Sequence, residues 1–289
     1  PFVLFLSFGP PHFPHDAIPP QMAGLYRPEE IWLPPNVPPE LTERAKREAA
    51  GYYTHIAALD RCVGELVATL EDTGLATRTI LVFTSDHGEM MGSHGCPPFM
   101  KQVAWNESAH VPFLLRYPAA HGHRGRVVDT PVTTPDILPT LLGLAGVRIP
   151  ESVEGEDLSD LVRAPGERRD RAALYMGVAP FIARQHAREY RALRTARFTY
   201  VRDLNGPWML FDDERDPYQL NNLVGKPRHA ALVREMETRL QAALRRIGDD
   251  FKPRDDYVRK WGYELAPHGS ISYERGARPQ SPRPIPPDS

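Results

Sequence analysis

A short polar segment with metal-binding residue types follows one of the most apolar stretches of the sequence. Residues 79–84 are mostly aliphatic, aromatic or β-branched, and Asp86 and His87 come directly after them. A carboxylate oxygen and an imidazole nitrogen suit a divalent cation, and Gly88 lets the backbone approach a bound group closely. The same spacing also fits a local role, in which Asp86 caps the following turn and His87 hydrogen-bonds within its own loop.

His12 follows a second apolar segment, at the start of the sequence. Residues 2–8 carry aliphatic and aromatic side chains at odd and even positions alike, which is typical of a strand buried on both faces. In open parallel sheets, ligands bind beyond the carboxyl ends of the strands. We therefore expect His12, Asp86 and His87 to lie at one edge of the same sheet.

The elements between these segments predict a parallel arrangement. Apolar residues recur every three or four positions over residues 41–73, which predicts a long helix that ends before Gly74. Strand, helix and strand in this order form a βαβ unit and imply a parallel sheet. A further strand is predicted over residues 111–116, and a helix begins at Thr134, taken as its N-cap.

The pattern changes after Pro150. Short alternating segments then predict strands, and a longer amphipathic segment predicts a final helix; these cover residues 173–177, 190–202, 208–212 and 228–247. The Pro- and Arg-rich stretch from Gly276 is predicted to be disordered.

These patterns predict an α/β fold in three parts. Residues 1–165 are expected to form an α/β domain whose mostly parallel sheet is sandwiched by helices. A small antiparallel α+β subdomain is expected over residues 166–252, and an extended tail over residues 253–289.

Composition narrows the classes of function. The 289 residues contain 35 basic and 37 acidic side chains, so the formal net charge of -2 gives no broad positive field for nucleic acid. A membrane span is not expected, because no run of about 18 apolar residues occurs. Two cysteines cannot build a disulfide framework or a four-thiolate zinc site. The sequence leaves the oligomeric state open.

Five segments, in the same order along the chain, resemble motifs of the sulfatase family, within the alkaline phosphatase superfamily. They are a PHxP loop, a metal-binding motif, a lysine followed by an E-S-x-x-V-P segment, a leucine-rich helix and a C-terminal L-[YF]-D turn; these occupy residues 7–14, 84–95, 101–113, 134–146 and 210–223. The resemblance implies an alkaline-phosphatase-like fold.

The resemblance also implies a chemistry. Sulfatases hydrolyse sulfate esters with a formylglycine nucleophile and a divalent cation, usually Ca²⁺, with Mn²⁺ or Mg²⁺ as alternatives. Asp86 and His87 match the late pair of metal ligands in the family. Lys101 matches a lysine that neutralises the sulfate oxygens, and His12 matches a histidine that contacts the sulfate or the leaving group. The implied substrate is a small-molecule or glycan sulfate ester.

The sequence departs from the family pattern in ways that point to a fragment. Neither Cys62 nor Cys96 lies in the C-x-P-S-R motif that supplies formylglycine, and the N-terminal acidic pair of metal ligands is absent. The first residue is not methionine, and the apolar segment at residues 2–8 needs partner strands. We therefore expect a missing N-terminal part that holds the nucleophile, and an inactive chain on its own. Gly9 stands where many members have a histidine.

Two other functions stay open at this point. A phosphonate monoester or phosphodiester hydrolase of the same superfamily would share these motifs, and a truncated homologue would bind ions or partners without catalysis. Among the remaining polar residues, His94 is expected beside the ligands rather than among them. His15 is expected to be solvated rather than to reach substrate, and Glu89 is expected to be structural.

Overall fold

The computed structural model describes residues 1–164, 169–178 and 188–265. The chain divides into two compact units. The first consists of residues 1–101 and 106–169, and the second of residues 102–105 together with the residues from Asp170 onward.

Within the residues that the structure describes, the first unit combines five α-helices with one pair of strands. Its helices are α1 (Thr42–Asp72), α2 (Asn106–Ala109), α3 (Pro118–His121), α4 (Thr134–Ala145) and α5 (Ser159–Arg163). Short 3-10 turns lie at Pro20–Met22, Pro28–Glu30, Pro39–Leu41, Ala76–Arg78 and Ser93–Gly95.

Helix α1 confirms the prediction from apolar spacing to within one residue at each end. It buries Ala45, Ala49 and Ala50 on one face, and Ile31 packs against the last two. Helix α4 also lies where it was predicted, but its N-cap is Thr133 rather than Thr134. The Thr133 backbone N–H donates to Asp136 Oδ2 at 2.9 Å, which satisfies one of the free donors at the helix start.

The strands of the first unit correct the predicted parallel order. Strand β1 (Leu81–Thr84) pairs antiparallel with β2 (Phe113–Arg116), so that Leu81 lies opposite Arg116. Residues 2–8 form no strand and are exposed. A segment that is apolar on both faces becomes a strand only beside neighbouring strands, and the described residues pair none with it. The predicted βαβ unit and mostly parallel sheet are therefore not confirmed.

The second unit contains a four-stranded antiparallel meander. Its strands β3 (Ala173–Gly177), β4 (Tyr190–Arg194), β5 (Phe198–Asp203) and β6 (Gly206–Asp212) pair in sequence order. The single strand predicted over residues 190–202 is a hairpin, because the chain turns between β4 and β5. Thr195 closes that turn, with its N–H donating to the Phe198 carbonyl at 2.9 Å.

Two helices complete this unit. Helix α6 (Ala230–Ile247) follows a 3-10 turn at Pro227–His229 and packs Met236, Leu240 and Leu244 against Tyr200 and other residues of the sheet. Helix α7 (Arg254–Trp261) lies within the stretch predicted to be an extended tail. The prediction of an extended tail is wrong for these residues, because they form an amphipathic helix that buries Tyr257. The stretch predicted to be disordered from Gly276 lies outside the described residues.

Among the described residues, no helix has both the length and the apolar character needed to cross a membrane.

Candidate functional site

The loop after β1 presents Asp86 and His87 side by side. The Asp86 side chain is 84% exposed, and its Oδ1 accepts hydrogen bonds from the His87 backbone N–H at 2.9 Å and from Ser85 Oγ at 3.3 Å. Slight desolvation of this carboxylate opposes ionisation, but the His87 imidazole and these hydrogen bonds lower the pKa of Asp86 below its usual value. Asp86 is therefore held as an accessible carboxylate.

The ring of His87 is oriented by its own loop. Its Nδ1 lies 2.9 Å from the Gly88 carbonyl oxygen, so Nδ1–H is the donor. The other nitrogen, Nε2, faces Asp86 and lies 3.6 Å from its Oδ2. A hydrogen bond from one ring nitrogen to a backbone carbonyl is also how metal-binding histidines are commonly held.

Lys101 and His12 meet at the same place, although 89 positions separate them. Lys101 Nζ is in direct contact with His12 Nε2. His12 Nδ1–H donates to the Phe13 carbonyl at 2.7 Å, so Nε2 is the acceptor in that contact. The rings of His12 and His87 lie 6.0 Å apart between centroids. The structure therefore brings together all four residues selected from the sequence.

Backbone hydrogen bonds place Lys101 beside the loop that carries Asp86. The Met90 N–H donates to the Met100 carbonyl at 3.0 Å, and the Met91 N–H donates to the Pro98 carbonyl at 3.0 Å. These bonds lay residues 98–101 alongside residues 89–91. The Lys101 side chain is 14% exposed, so its position is set by neighbours more than by water.

Glycines allow two close approaches that build the site. A Cβ at Gly51 on α1 would lie 1.9 Å from the His15 carbonyl oxygen, so the loop of His12 and His15 packs directly onto the helix backbone. A Cβ at Gly88 would lie 1.9 Å from the Glu107 carbonyl oxygen. The Gly88 N–H donates to the Ser108 carbonyl at 2.8 Å, which joins the Asp86 loop to α2.

A buried charged group that the sequence did not reveal lies behind Lys101. Glu89 Oε1 is 3.9 Å from Lys101 Nζ, and Glu89 Oε2 is 3.5 Å from His15 Nε2. His15 is 2% exposed and hydrogen-bonds through Nδ1 to Glu48 at 2.8 Å. The prediction that His15 is solvated is therefore wrong. Glu89 follows His87 by two positions, but no sequence signal pairs it with His15.

His94 belongs to a separate cluster of polar side chains. Its Nε2 lies 3.1 Å from Asn36 Nδ2 and 3.9 Å from Glu107 Oε2.

Burial, together with the charge of Glu107, raises the pKa of Cys96 to about 12, so this cysteine is a neutral thiol at physiological pH. Cys62 is exposed on α1.

The donor set fits part of a divalent-metal site. Asp86 offers an exposed carboxylate and His87 an oriented nitrogen, which are acceptable ligands for such an ion. Calcium binds roughly six to eight oxygen ligands, and the described residues contain no group of three His, Cys, Asp or Glu side chains placed to share one ion. Asp86 and His87 can therefore supply part of a coordination shell, not all of it.

Family models identify the chain. The sulfatase model matches residues 1–147, about half of the sequence. This chain belongs to the sulfatase family. A second model, for the C-terminal region of N-sulphoglucosamine sulphohydrolase, matches residues 92–246. The predicted family is thus confirmed.

Curated relatives of this sulfatase-family chain include proteins named as sulfatases. It is 47% identical over 263 residues to the ulvan-active sulfatase of Formosa agariphila, covering 91% of this chain and 52% of the relative. It is 30% identical to an endo-4-O-sulfatase of Bacteroides thetaiotaomicron, covering 83% of this chain and 51% of the relative. The chain therefore spans about half the length of the curated relatives it matches.

Solved structures share its fold. A Bacteroides thetaiotaomicron protein of glycosaminoglycan metabolism aligns with a TM-score of 0.71 and 29% identity, over 86% of this chain and 54% of that one. A protein solved with its substrate D-glucosamine-2-N,6-O-disulfate aligns with a TM-score of 0.67 and 27% identity, over 76% of this chain and 45% of that one. The phosphonate monoester hydrolase of Agrobacterium radiobacter aligns with a TM-score of 0.59 and 28% identity, over 81% of this chain and 47% of that one. The chain has the alkaline-phosphatase-like α/β fold of sulfatases.

Proposed function

We propose that this chain carries part of the catalytic site of a sulfatase that hydrolyses sulfate esters of a glycan. The observation that carries the proposal is the contact between Lys101 and His12 beside the exposed pair Asp86 and His87. A cation, a proton-exchanging imidazole and two metal-competent groups at one place suit the binding and cleavage of an anionic ester such as a sulfate monoester.

Each residue has a distinct proposed role. The Lys101 ammonium binds the sulfate oxygens, because it is a fixed cation whose side chain is largely shielded from water. His12 exchanges a proton with the leaving oxygen through Nε2, since its Nδ1 is engaged with the Phe13 carbonyl. Asp86 and His87 hold a divalent cation, for which Ca²⁺ is the first candidate and Mn²⁺ or Mg²⁺ the alternatives. When bound, such an ion supplies positive charge toward the sulfate oxygens.

The nucleophile is proposed to lie outside these 289 residues. Neither cysteine stands in a C-x-P-S-R context, and Cys96 is buried with its pKa raised to about 12. The family implies a metal and a formylglycine, and the chain matches about half the length of its curated relatives. We expect the 289-residue chain alone to bind calcium weakly and to turn over no sulfate ester.

The substrate is proposed to be a sulfated polysaccharide. The identity of 47% to an ulvan-active sulfatase supports this class over a small aryl sulfate. Hydrolysis of a phosphonate or phosphate ester is the second candidate, supported by the likeness to a phosphonate monoester hydrolase.

The test compares the 289-residue chain with a longer protein that contains it and a C-x-P-S-R segment. Release of sulfate from ulvan and from an aryl sulfate is measured with and without a chelator, next to hydrolysis of a phosphonate monoester. We expect chelator-sensitive sulfate release from the longer protein alone. Faster phosphonate hydrolysis would favour the second candidate. Absence of all activity would favour a non-catalytic homologue, and metal-dependent turnover by the chain alone would contradict the assignment of the nucleophile.

A further inference from the structure

The carboxylate of Glu89 is buried in an unusual way. The side chain is 4% exposed, and neither Oε1 nor Oε2 has a hydrogen-bond partner among the residues the structure describes. An ionised carboxylate in such a place is costly unless opposite charges compensate it. Two basic side chains approach it, Lys101 at 3.9 Å from Oε1 and His15 at 3.5 Å from Oε2.

His15 lies on the side of this carboxylate opposite Lys101, between Glu89 and Glu48. Burial disfavours the charged imidazolium, but the carboxylates of Glu89 and Glu48 outweigh it and raise the pKa of His15 above its usual value. The ring is fixed on its remaining sides by edge-to-face contacts with Phe13 and Tyr52, at 5.7 and 5.6 Å between centroids. His15 therefore faces Oε2 of Glu89, and the other oxygen, Oε1, is the one that faces Lys101.

The other neighbour of Lys101 cannot hold it in place alone. In its contact with the ammonium group His12 Nε2 can only accept, because an ammonium has no acceptor atom, so this contact offers Lys101 no opposite charge. A lysine side chain has four rotatable bonds, so one neutral acceptor restricts it weakly. The fixed negative charge of Glu89 adds an electrostatic restraint from the buried side.

We propose that Glu89 is a positioning residue, whose buried carboxylate holds the Lys101 ammonium against His12 in readiness for the sulfate group. The role of Glu89 in catalysis rests on the proposed sulfatase function. The position of Lys101 beside His12, by contrast, can be measured in the chain without sulfate. A role in filling space would need only the shape of Glu89. A positioning role needs its charge.

Two substitutions separate shape from charge. Glu89→Gln keeps the shape and removes the charge, while Glu89→Asp keeps the charge and shortens the side chain by one methylene. Glu107→Gln is the matched control, because Glu107 is a largely buried carboxylate of the same unit beside a histidine, His94. Circular dichroism and urea unfolding establish that each variant is folded.

The readout is the ¹⁵N resonance of His12 Nε2 in the whole 289-residue chain without sulfate, at one fixed pH. Lys101→Ala gives the position of this resonance when the ammonium contact is lost. We expect Glu89→Gln to move it most of the way to the Lys101→Ala position. Glu89→Asp should move it less, and Glu107→Gln should leave it in place.

Other outcomes decide against the proposal. Glu89 would have a space-filling role if the His12 Nε2 resonance of folded Glu89→Gln stayed at its wild-type position. The same conclusion would follow if Glu89→Asp moved this resonance more than Glu89→Gln does. If Glu89→Gln does not fold, Glu89→Asp decides, because a resonance that moves all the way to the Lys101→Ala position in a variant that keeps the charge contradicts the proposal. Titration of the longer protein with sodium sulfate tests the proposed function separately, since a His12 resonance that ignores sulfate there rejects the proposed site and leaves the Glu89 result valid.

Discussion

His87 Nε2 lies 3.6 Å from Asp86 Oδ2, so adjacent residues direct one nitrogen and one oxygen into the same small volume. The arrangement depends on the loop itself, because His87 is oriented by the Gly88 carbonyl and Asp86 by the His87 N–H. A divalent cation bound there would meet donors that are already oriented. Little further ordering is then needed on binding.

Replacement of Asp86 tests this donor pair. We expect Asp86→Ala to lower the affinity for calcium by at least ~10-fold, since loss of even an outer partner of a metal site commonly costs 10- to 100-fold. Calcium titration calorimetry on the 289-residue chain and on the longer protein measures the change. Asp60→Ala, an exposed carboxylate on α1, is the control. Equal calcium affinity in wild type and Asp86→Ala would remove Asp86 from the proposed ligands.

Lys101 is predicted to dominate sulfate binding. We expect Lys101→Ala to weaken the affinity for sulfate ions roughly tenfold to a hundredfold, because a hydrogen bond to a charged group contributes about 1.5–3 kcal/mol. Lys101→Arg should give an intermediate loss, as it keeps the charge but changes the geometry. Lys46→Ala on α1 is the control for general charge. Sulfate affinity is read from the shift of the His12 ring resonances, and a loss shared by the Lys46 variant would point to diffuse electrostatics.

Local sequence patterns specify the helices of this chain better than the pairing of its strands. Periodicity located α1 within one residue at each end, because a long amphipathic helix is specified locally. It did not give the direction of pairing between β1 and β2, since a strand of four residues carries no signal for its partner's orientation. Residues 2–8 have the composition of a buried strand but lie exposed, because a strand also needs hydrogen-bonding neighbours.

In the candidate site, too, the sequence predicts what local information specifies and misses what depends on long-range contacts. Asp86 and His87 were found from a strand end, which is local information. The contact of Lys101 with His12 spans 89 positions and came from the family resemblance, since nothing in the composition around Lys101 sets it apart from a surface lysine. The pairing of Glu89 with His15 had no sequence signal at all, because it depends on how the loop packs onto α1 at Gly51.

Replacement of glycine by alanine is expected to change the stability in opposite directions at two positions of α1. We expect Gly51→Ala to destabilise the chain and to displace the His12 loop, because the new Cβ would lie 1.9 Å from the His15 carbonyl oxygen. Gly64→Ala should stabilise it by about 0.5–1 kcal/mol, since no atom lies within 4 Å of that Cβ and alanine favours a helix interior. Urea unfolding gives both free energies. Stabilisation by Gly51→Ala would show that the loop does not pack on α1 as described.

The buried His15 predicts how stability depends on pH. Burial opposes its charged form, but Glu89 and Glu48 raise its folded-state pKa above the unfolded value of about 6.5. The resulting stabilisation is fully present below that unfolded value and is lost as the pH rises through the folded-state pKa. We expect the free energy of unfolding to fall over this interval in wild type and to fall less in His15→Gln. Urea unfolding in half-unit steps from pH 5.5 to 9 measures the free energy of unfolding of both proteins. The difference between the two pH profiles separates the contribution of His15 from those of the other titrating groups. Parallel pH profiles for the two proteins would show that His15 is not held as an imidazolium between the two carboxylates.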